Sequence, residues 1–149
     1  MSSGVRYPRR ARRLLVSTVL ILAVACGAGS GGSASQTRTV RIILGHLRFA
    51  PATVTVKAGT TVRFILANSD AIDHEFFLGS EDAQEEHGMR MSSGHMGDEG
   101  MSGGGMAEVP AAKTVNFSYT FSTPGTLIYG CHVADHYAQG MKGTVTITS

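Results

Sequence analysis

Four side chains with metal-binding chemistry are distributed unevenly along the chain. Cys131, His136 and Met141 follow one another at intervals of five residues, and His74 lies much earlier in the sequence. One thiolate and two imidazoles with a thioether nearby are the ligand set of a type 1 copper site. This mixed set suits both oxidation states, because Cu(I) favours soft sulfur and Cu(II) favours nitrogen. The four residues therefore indicate a copper site.

Other interpretations of these residues are weaker. Zinc also binds cysteine and histidine, but methionine is a poor zinc ligand. A lone cysteine is often a small buried hydrophobic residue. An unpaired cysteine beside histidines nevertheless needs a reason in a chain with the N-terminal export signal described below. A disulfide between Cys131 and Cys26 is not expected, because Cys26 lies at the processing site described below. His132 is left out of the ligand set, since adjacent residues of a strand point to opposite faces.

The segments that must position these residues alternate between apolar and polar side chains, as Val115, Phe117 and Tyr119 do with the residues between them. A period of two buries one face of a strand and leaves the other in water. Strands are predicted at 37–44, 53–57, 60–67, 74–78, 114–121, 126–129 and 144–148. No convincing amphipathic helix is found. The pattern predicts an all-β fold, a Greek-key β-sandwich or barrel of about seven or eight strands.

Residues 45–149 resemble the cupredoxins, the superfamily of plastocyanin, azurin, rusticyanin and auracyanin. The motifs that carry the resemblance are Phe49-x-Pro51, Val54-x-Val56-x-Ala58-Gly59, Val62-x-Phe64, Asn68, His74 and Tyr129-x-Cys131-x4-His136-x4-Met141-x-Gly143. The ligand spacing is most similar to that of rusticyanin and auracyanin. The resemblance implies one type 1 copper ion per chain, with Cys131 as the thiolate ligand. It makes His74 and His136 the imidazole ligands and Met141 the weak axial ligand.

Glu75 departs from the pattern, because plastocyanin and azurin carry an asparagine directly after the first histidine ligand. Hydrogen bonds around a metal ligand tune the geometry and potential of the site. The sequence His74-Glu75-Phe76 is instead similar to exported cupredoxins that accompany copper-resistance systems. The reduction potential and the colour of the site, blue or green, therefore stay open.

Residues 79–109 do not follow the strand pattern, and they are interpreted as either a functional loop or a disordered insertion. The segment is first acidic and then rich in glycine, serine, methionine and histidine. It contains five of the seven methionines of the chain and two histidines: Met89, Met91, Met96, Met101, Met106, His87 and His95. Thioethers select Cu(I), so these residues are candidates for secondary Cu(I) sites. The alternative is a low-complexity spacer without copper.

The N-terminus has the features of a secretory signal over residues 1–25: a basic start, a short apolar run and a small-residue end. The apolar run is shorter than the roughly twenty residues that cross a membrane. Two processing routes stay open, ordinary signal peptidase cleavage and a lipoprotein route with Cys26 as the lipidated residue. Residues 26–36 are interpreted as a flexible Gly/Ser linker and 37–149 as one domain. The chain is expected in the periplasm or at the outer face of the cytoplasmic membrane.

The charge balance excludes one class of partner. Five of the thirteen basic residues lie in the first thirteen positions, and the rest of the chain carries eight basic against eleven acidic residues, a net of −3. This sign gives no support to nucleic-acid binding. Two functions remain: electron transfer with a cytochrome or a membrane oxidase or reductase, and copper sequestration or delivery with other copper-handling proteins. A monomer is expected, and an enzymatic role is not.

Overall fold

The computed structural model describes residues 36–94 and 104–149. The predicted signal segment, Cys26 and most of the predicted linker lie outside the described residues, as do His95, Met96 and Met101. Within the described part of the chain, no helix is long and apolar enough to cross a membrane.

Nine strands and one α-helix make up the described fold. In chain order they are β1 (Thr37–Gly45), β2 (Arg48–Ala50), β3 (Thr53–Lys57), β4 (Thr60–Asn68), β5 (His74–Gly79), α1 (Glu81–Ser92), β6 (Gly105–Val109), β7 (Thr114–Phe121), β8 (Gly125–Gly130) and β9 (Lys142–Thr148). One sheet has the order β2-β1-β4-β7 and the other β3-β9-β8-β5-β6. Each sheet contains one parallel pair, β1 with β4 and β3 with β9. The all-β prediction is confirmed, and the described strands form a sandwich of two sheets instead of a closed barrel.

The apolar positions that alternate in the sequence form the core between the sheets. In β4, Val62, Phe64 and Leu66 are fully buried, whereas Arg63 between them is exposed. Phe76 of β5 stacks on Tyr129 of β8 with ring centroids 5.2 Å apart. Burying such a side chain contributes roughly 1.5–3 kcal/mol, so the alternation that predicted the strands also stabilises the sandwich.

No amphipathic helix was predicted, and residues 79–109 were interpreted as a functional loop or a disordered insertion. That interpretation is wrong for Glu81–Ser92, which form α1, and for Gly105–Val109, which form β6. The helix has no apolar stripe, and its two buried residues, Gln84 and His87, are polar. Hydrophobic periodicity therefore could not reveal it. Its capping signals are conventional: the Ser80 hydroxyl accepts a hydrogen bond from the Ala83 amide at 3.2 Å, and acidic residues occupy the first turn. The short strands β2 and β6 were not predicted either.

Strand β5 is buried along its whole length. Phe76 and Leu78 belong to the core between the sheets. The opposite face of the strand carries Glu75 and Phe77, which contact α1 through His87. Since both faces are covered, β5 does not show the apolar–polar alternation of a half-exposed strand.

The topology brings the distant ligand candidates to one end of the second sheet. Strand β5 begins at His74, and its antiparallel neighbour β8 ends one residue before Cys131. Strand β9 begins one residue after Met141 and pairs with β8, with Lys142 opposite Gly130. The start of β5, the end of β8 and the start of β9 therefore meet, although His74 is far from the other residues in sequence.

Candidate metal centre

The structure brings His74, Cys131 and His136 together as one buried group, with the candidate ligand atoms within 4.8 Å of one another. The Cys131 Sγ atom lies 3.7 Å from Nδ1 of His74 and 3.4 Å from Nδ1 of His136. Both imidazoles therefore direct the same type of nitrogen at the sulfur. The exposed fractions of the three residues are 1%, 0% and 5%, so these donors are largely shielded from solvent.

Asp70 sets the orientation of the His74 ring. Its Oδ2 atom lies 3.0 Å from Nε2 of His74 and also accepts a hydrogen bond from the His46 amide at 2.8 Å. A carboxylate that accepts the Nε2–H proton leaves the lone pair on Nδ1 free for a metal. The hydrogen bond to His74 lowers the pKa of the Asp70 carboxyl, which favours the ionised acceptor.

A tight loop carries Cys131, His136 and Met141. The Cys131 amide donates to the Met141 carbonyl at 3.2 Å, and the Met141 amide donates to the His136 carbonyl at 2.9 Å. Between Cys131 and His136 the chain makes a short 3₁₀ turn, in which Ala134 and Asp135 have φ values of 46° and 63°. This left-handed backbone turns the chain back sharply, so five residues suffice to return His136 to the sulfur of Cys131.

Met141 is fully buried and belongs to the core. The backbone hydrogen bonds of the loop place it beside Cys131 and His136. Its role as the axial ligand stays a prediction that rests on the resemblance.

Burial sets the protonation chemistry of two candidate ligands. It raises the pKa of the Cys131 thiol, an effect that the amides of Glu75 and Val133 partly oppose. Burial, followed by the neighbouring His74, lowers the pKa of His136. In the metal-free protein at neutral pH, the thiol therefore retains its proton and the His136 imidazole is neutral.

Glu75 contacts the cysteine segment through both its backbone and its side chain. Its amide points at Cys131 Sγ at 3.4 Å, and its Oε1 atom accepts a hydrogen bond from the His132 amide at 2.7 Å. The same oxygen lies 3.0 Å from Nε2 of His87. The sequence singled out Glu75 as a departure from the pattern but did not indicate His87 as its partner.

The predicted Cu(I) ligands are found in different environments. His87 is 5% exposed, and its ring stacks on Phe77 with centroids 4.2 Å apart. Met89 and Met106 are 61% and 43% exposed, and Met91 is partly buried on α1. The structure therefore places His87 in the interior beside Glu75, whereas Met89 and Met106 face solvent.

The chemistry of the buried donor set fits copper. One sulfur and two imidazole nitrogens face one another, and a second sulfur residue lies on the same loop. Soft sulfur and imidazole suit copper in both of its common oxidation states. The Nε2 hydrogen bond of His74 is the type of support that metal-bound histidines have.

With this fold and donor set, the chain belongs to the plastocyanin/azurin family of copper binding proteins, whose family model matches residues 36–148. The copper-resistant cuproprotein CopI of Rubrivivax gelatinosus is 35% identical over 118 residues, which cover 78% of this chain and 70% of that relative. The protein of the same name from Pseudomonas aeruginosa is 30% identical over 176 residues, covering 91% of this chain and 97% of the relative.

A solved structure of auracyanin B supports the fold. It superposes with a TM-score of 0.66 over 75% of this chain and 89% of that chain, at 23% identity; auracyanin B is a protein of Chloroflexus aurantiacus. The prediction of a cupredoxin is thus confirmed. Together with the His–Cys–His group, the family identifies copper as the metal of this protein, as predicted.

Proposed function

We propose that this protein holds one copper ion in a type 1 centre and serves copper resistance outside the cytoplasm. The observation that carries the proposal is the buried Cys131 sulfur, which lies 3.7 and 3.4 Å from the Nδ1 atoms of His74 and His136. In the proposal these three residues are the strong ligands, and Met141 is the weak fourth ligand. When bound, copper supplies a one-electron couple between Cu(I) and Cu(II).

The surrounding residues hold the proposed ligands in place. Asp70 fixes the ring of His74, and the amide of Glu75 points at the Cys131 sulfur. The loop hydrogen bonds position His136 and Met141. Because the donors are buried and held by these hydrogen bonds, little of the protein needs to rearrange when the charge of the metal changes.

Copper resistance is supported by the relatives, two of which are named copper-resistant cuproproteins and are at least 30% identical to this chain. In this role the protein would sequester copper or deliver it to other copper-handling proteins. The exposed Met89 and Met106 are candidates for a weak Cu(I) capture surface, since thioethers prefer Cu(I). The proposal includes no enzymatic reaction.

Electron transfer is the second candidate function. The observation that favours it is the arrangement of the donors, which converge and are shielded from water. A centre of this kind exchanges electrons with little reorganisation, and the partner would be a cytochrome or a membrane oxidase or reductase. In both candidates the protein acts after export, as a monomer, with or without a lipid anchor at Cys26.

A growth assay and a kinetic assay together test the proposal. Cells that lack the protein are complemented with the wild type, with Cys131→Ser, or with Gln139→Ala, an exposed control on the same loop. We expect the wild type and Q139A to restore growth in excess copper, and C131S to fail. Equal protection by C131S would contradict a role for the centre in copper resistance. Rapid reversible reduction of the copper-loaded protein by a cytochrome, without any effect on copper tolerance, would instead favour electron transfer.

A further inference from the structure

Helix α1 contacts the strands beside Cys131, and the residue that follows it, through polar side chains. Its buried residues are Gln84 and His87, and both bond to groups outside the helix. The Gln84 Nε2 atom donates to the carbonyls of Phe77 and Ile128 at 3.1 and 2.7 Å. Its Oε1 atom lies 2.9 Å from Nε2 of His132. The helix is therefore fastened to β5, to β8 and to the residue that follows Cys131.

His87 provides the second connection, through Glu75. Its Nε2 atom and the His132 amide both bond to the same carboxylate oxygen, at 3.0 and 2.7 Å. The ring of His87 lies nearly parallel to Phe77, with an interplanar angle of 16°, and nearly perpendicular to His132, at 86°. These contacts leave the His87 ring little freedom, so the position of the Glu75 carboxylate is also well defined.

Glu75 in turn bonds to the cysteine segment at two points. Its backbone amide points at the Cys131 sulfur at 3.4 Å, and its carboxylate holds the amide of the next residue, His132. Hydrogen bonds to a carboxylate are about twice as strong as neutral ones. A chain of contacts therefore runs from α1 through His87 and Glu75 to the backbone beside the sulfur.

We propose that α1 is part of the support of the copper centre, with His87 and Glu75 as positioning residues that fix the Cys131–His132 segment. The inference rests on the proposed type 1 centre and assigns His87 to a task other than Cu(I) capture. Outer hydrogen bonds of this kind orient ligands and tune the metal they hold. The competing explanation is that α1 only covers the outer face of β5, and in that case loss of one side-chain bond would leave the copper centre unchanged.

The test uses three variants of the full mature chain. His87→Phe keeps a flat ring to stack on Phe77 but removes the bond to Glu75. His87→Gln replaces the ring with an amide that can still donate to the carboxylate. Glu86→Gln changes an exposed residue of the same helix, whose carboxylate lies 3.8 Å from the Arg90 guanidinium, and serves as the control.

The first readout is hydrogen exchange of the His132 amide in the metal-free protein, measured by NMR. In H87F the Glu75 carboxylate loses the donor that fixes its position, which weakens its bond to the His132 amide, and we expect this amide to exchange faster by about tenfold. H87Q is expected to recover part of the protection, and E86Q to match the wild type. Unchanged exchange in H87F would overturn the proposal, whether or not the protein binds copper as proposed.

The second readout is the reduction potential and the visible absorption spectrum of the copper-loaded protein. We expect H87F to shift the reduction potential and the visible absorption band relative to the wild type, with partial recovery in H87Q and no shift in E86Q. A folded H87F protein with the spectrum and potential of the wild type would overturn the positioning role. A wild-type protein without any sulfur-to-copper absorption would refute the type 1 centre itself. The exchange experiment uses the protein without copper, so it tests the positioning role of His87 separately from the type 1 centre.

Discussion

The Nε2 atom of His74 lies 3.0 Å from the Oδ2 atom of Asp70, while Nδ1 on the other side of the ring faces the Cys131 sulfur at 3.7 Å. The two contacts assign different tasks to the two ring nitrogens. One nitrogen is held by the protein, and the other is available to a metal. Asp70 is separated from His74 by only three residues, yet its importance becomes visible only in the structure.

Replacement of Asp70 should weaken copper binding without removing a ligand. In Asp70→Ala the His74 ring loses its acceptor and the His46 amide loses its partner. Loss of such support typically lowers metal affinity by about 10–100-fold. Competition with a copper chelator measures the effect, with Glu86→Ala as the exposed control. An affinity equal to that of the wild type would show that Asp70 does not orient His74.

Copper binding should release protons at neutral pH. Burial raises the pKa of the Cys131 thiol and lowers that of His136, so the thiol of the metal-free protein is protonated and the imidazole is not. Because the bound ligand is the thiolate, about one proton per copper ion should be released from Cys131 at pH 7, and the affinity should fall as the pH decreases.

A pH indicator in weakly buffered solution measures this release directly. Cys131→Ala is the matched control, and it should release no proton from this position. Equal release by the variant and the wild type would mean that the proton does not come from the thiol.

Asn68 should stabilise the segment that carries Asp70. Its side-chain nitrogen donates to the carbonyls of Ile72 and Val109 at 2.8 and 2.9 Å, and Asn68 is 6% exposed. Asn68→Ala removes these hydrogen bonds, of which the one to Val109 is buried, and should lower the free energy of unfolding by about 1–3 kcal/mol. Denaturant unfolding of the metal-free protein checks this value. Asn116→Ala, at an exposed position, should change the stability by less than about 0.5 kcal/mol, and equal effects of both variants would contradict the role of Asn68.

The mature N-terminus should carry a lipid if the second processing route applies. Intact mass spectrometry of the exported protein distinguishes the two routes. A diacylglyceryl mass on Cys26 at the N-terminus indicates the lipoprotein route, and an unmodified Cys26 indicates ordinary cleavage. A mature chain that begins beyond Cys26 would exclude the lipid anchor.

The sequence predicted the strands best where one face is buried and the other exposed. Residues 53–57 and 114–121 match β3 and β7, because a period of two leaves a clear signal. The helix α1 was missed because its buried face is formed by Gln84 and His87, whose polarity hides it from any search for an apolar stripe. Local capping at Ser80 was the available signal.

The candidate ligands were predictable for a different reason. The spacing from Cys131 to His136 is fixed by a local loop, so the sequence displays it directly. His74 could be assigned to the same site only from its residue type and the resemblance, because its proximity depends on the pairing of β5 with β8. The hydrogen bonds of Glu75 to His87 and His132 depend on three separate elements and have no signature in the sequence.

The optical and EPR spectra of the copper-loaded mature protein test the central claim most directly. Copper bound by the Cys131 thiolate between His74 and His136 predicts intense visible absorption from sulfur to Cu(II), lost in Cys131→Ser. It also predicts an EPR spectrum unlike that of copper bound only by nitrogen and oxygen. A nearly colourless Cu(II) protein whose spectra do not change in C131S would contradict the account.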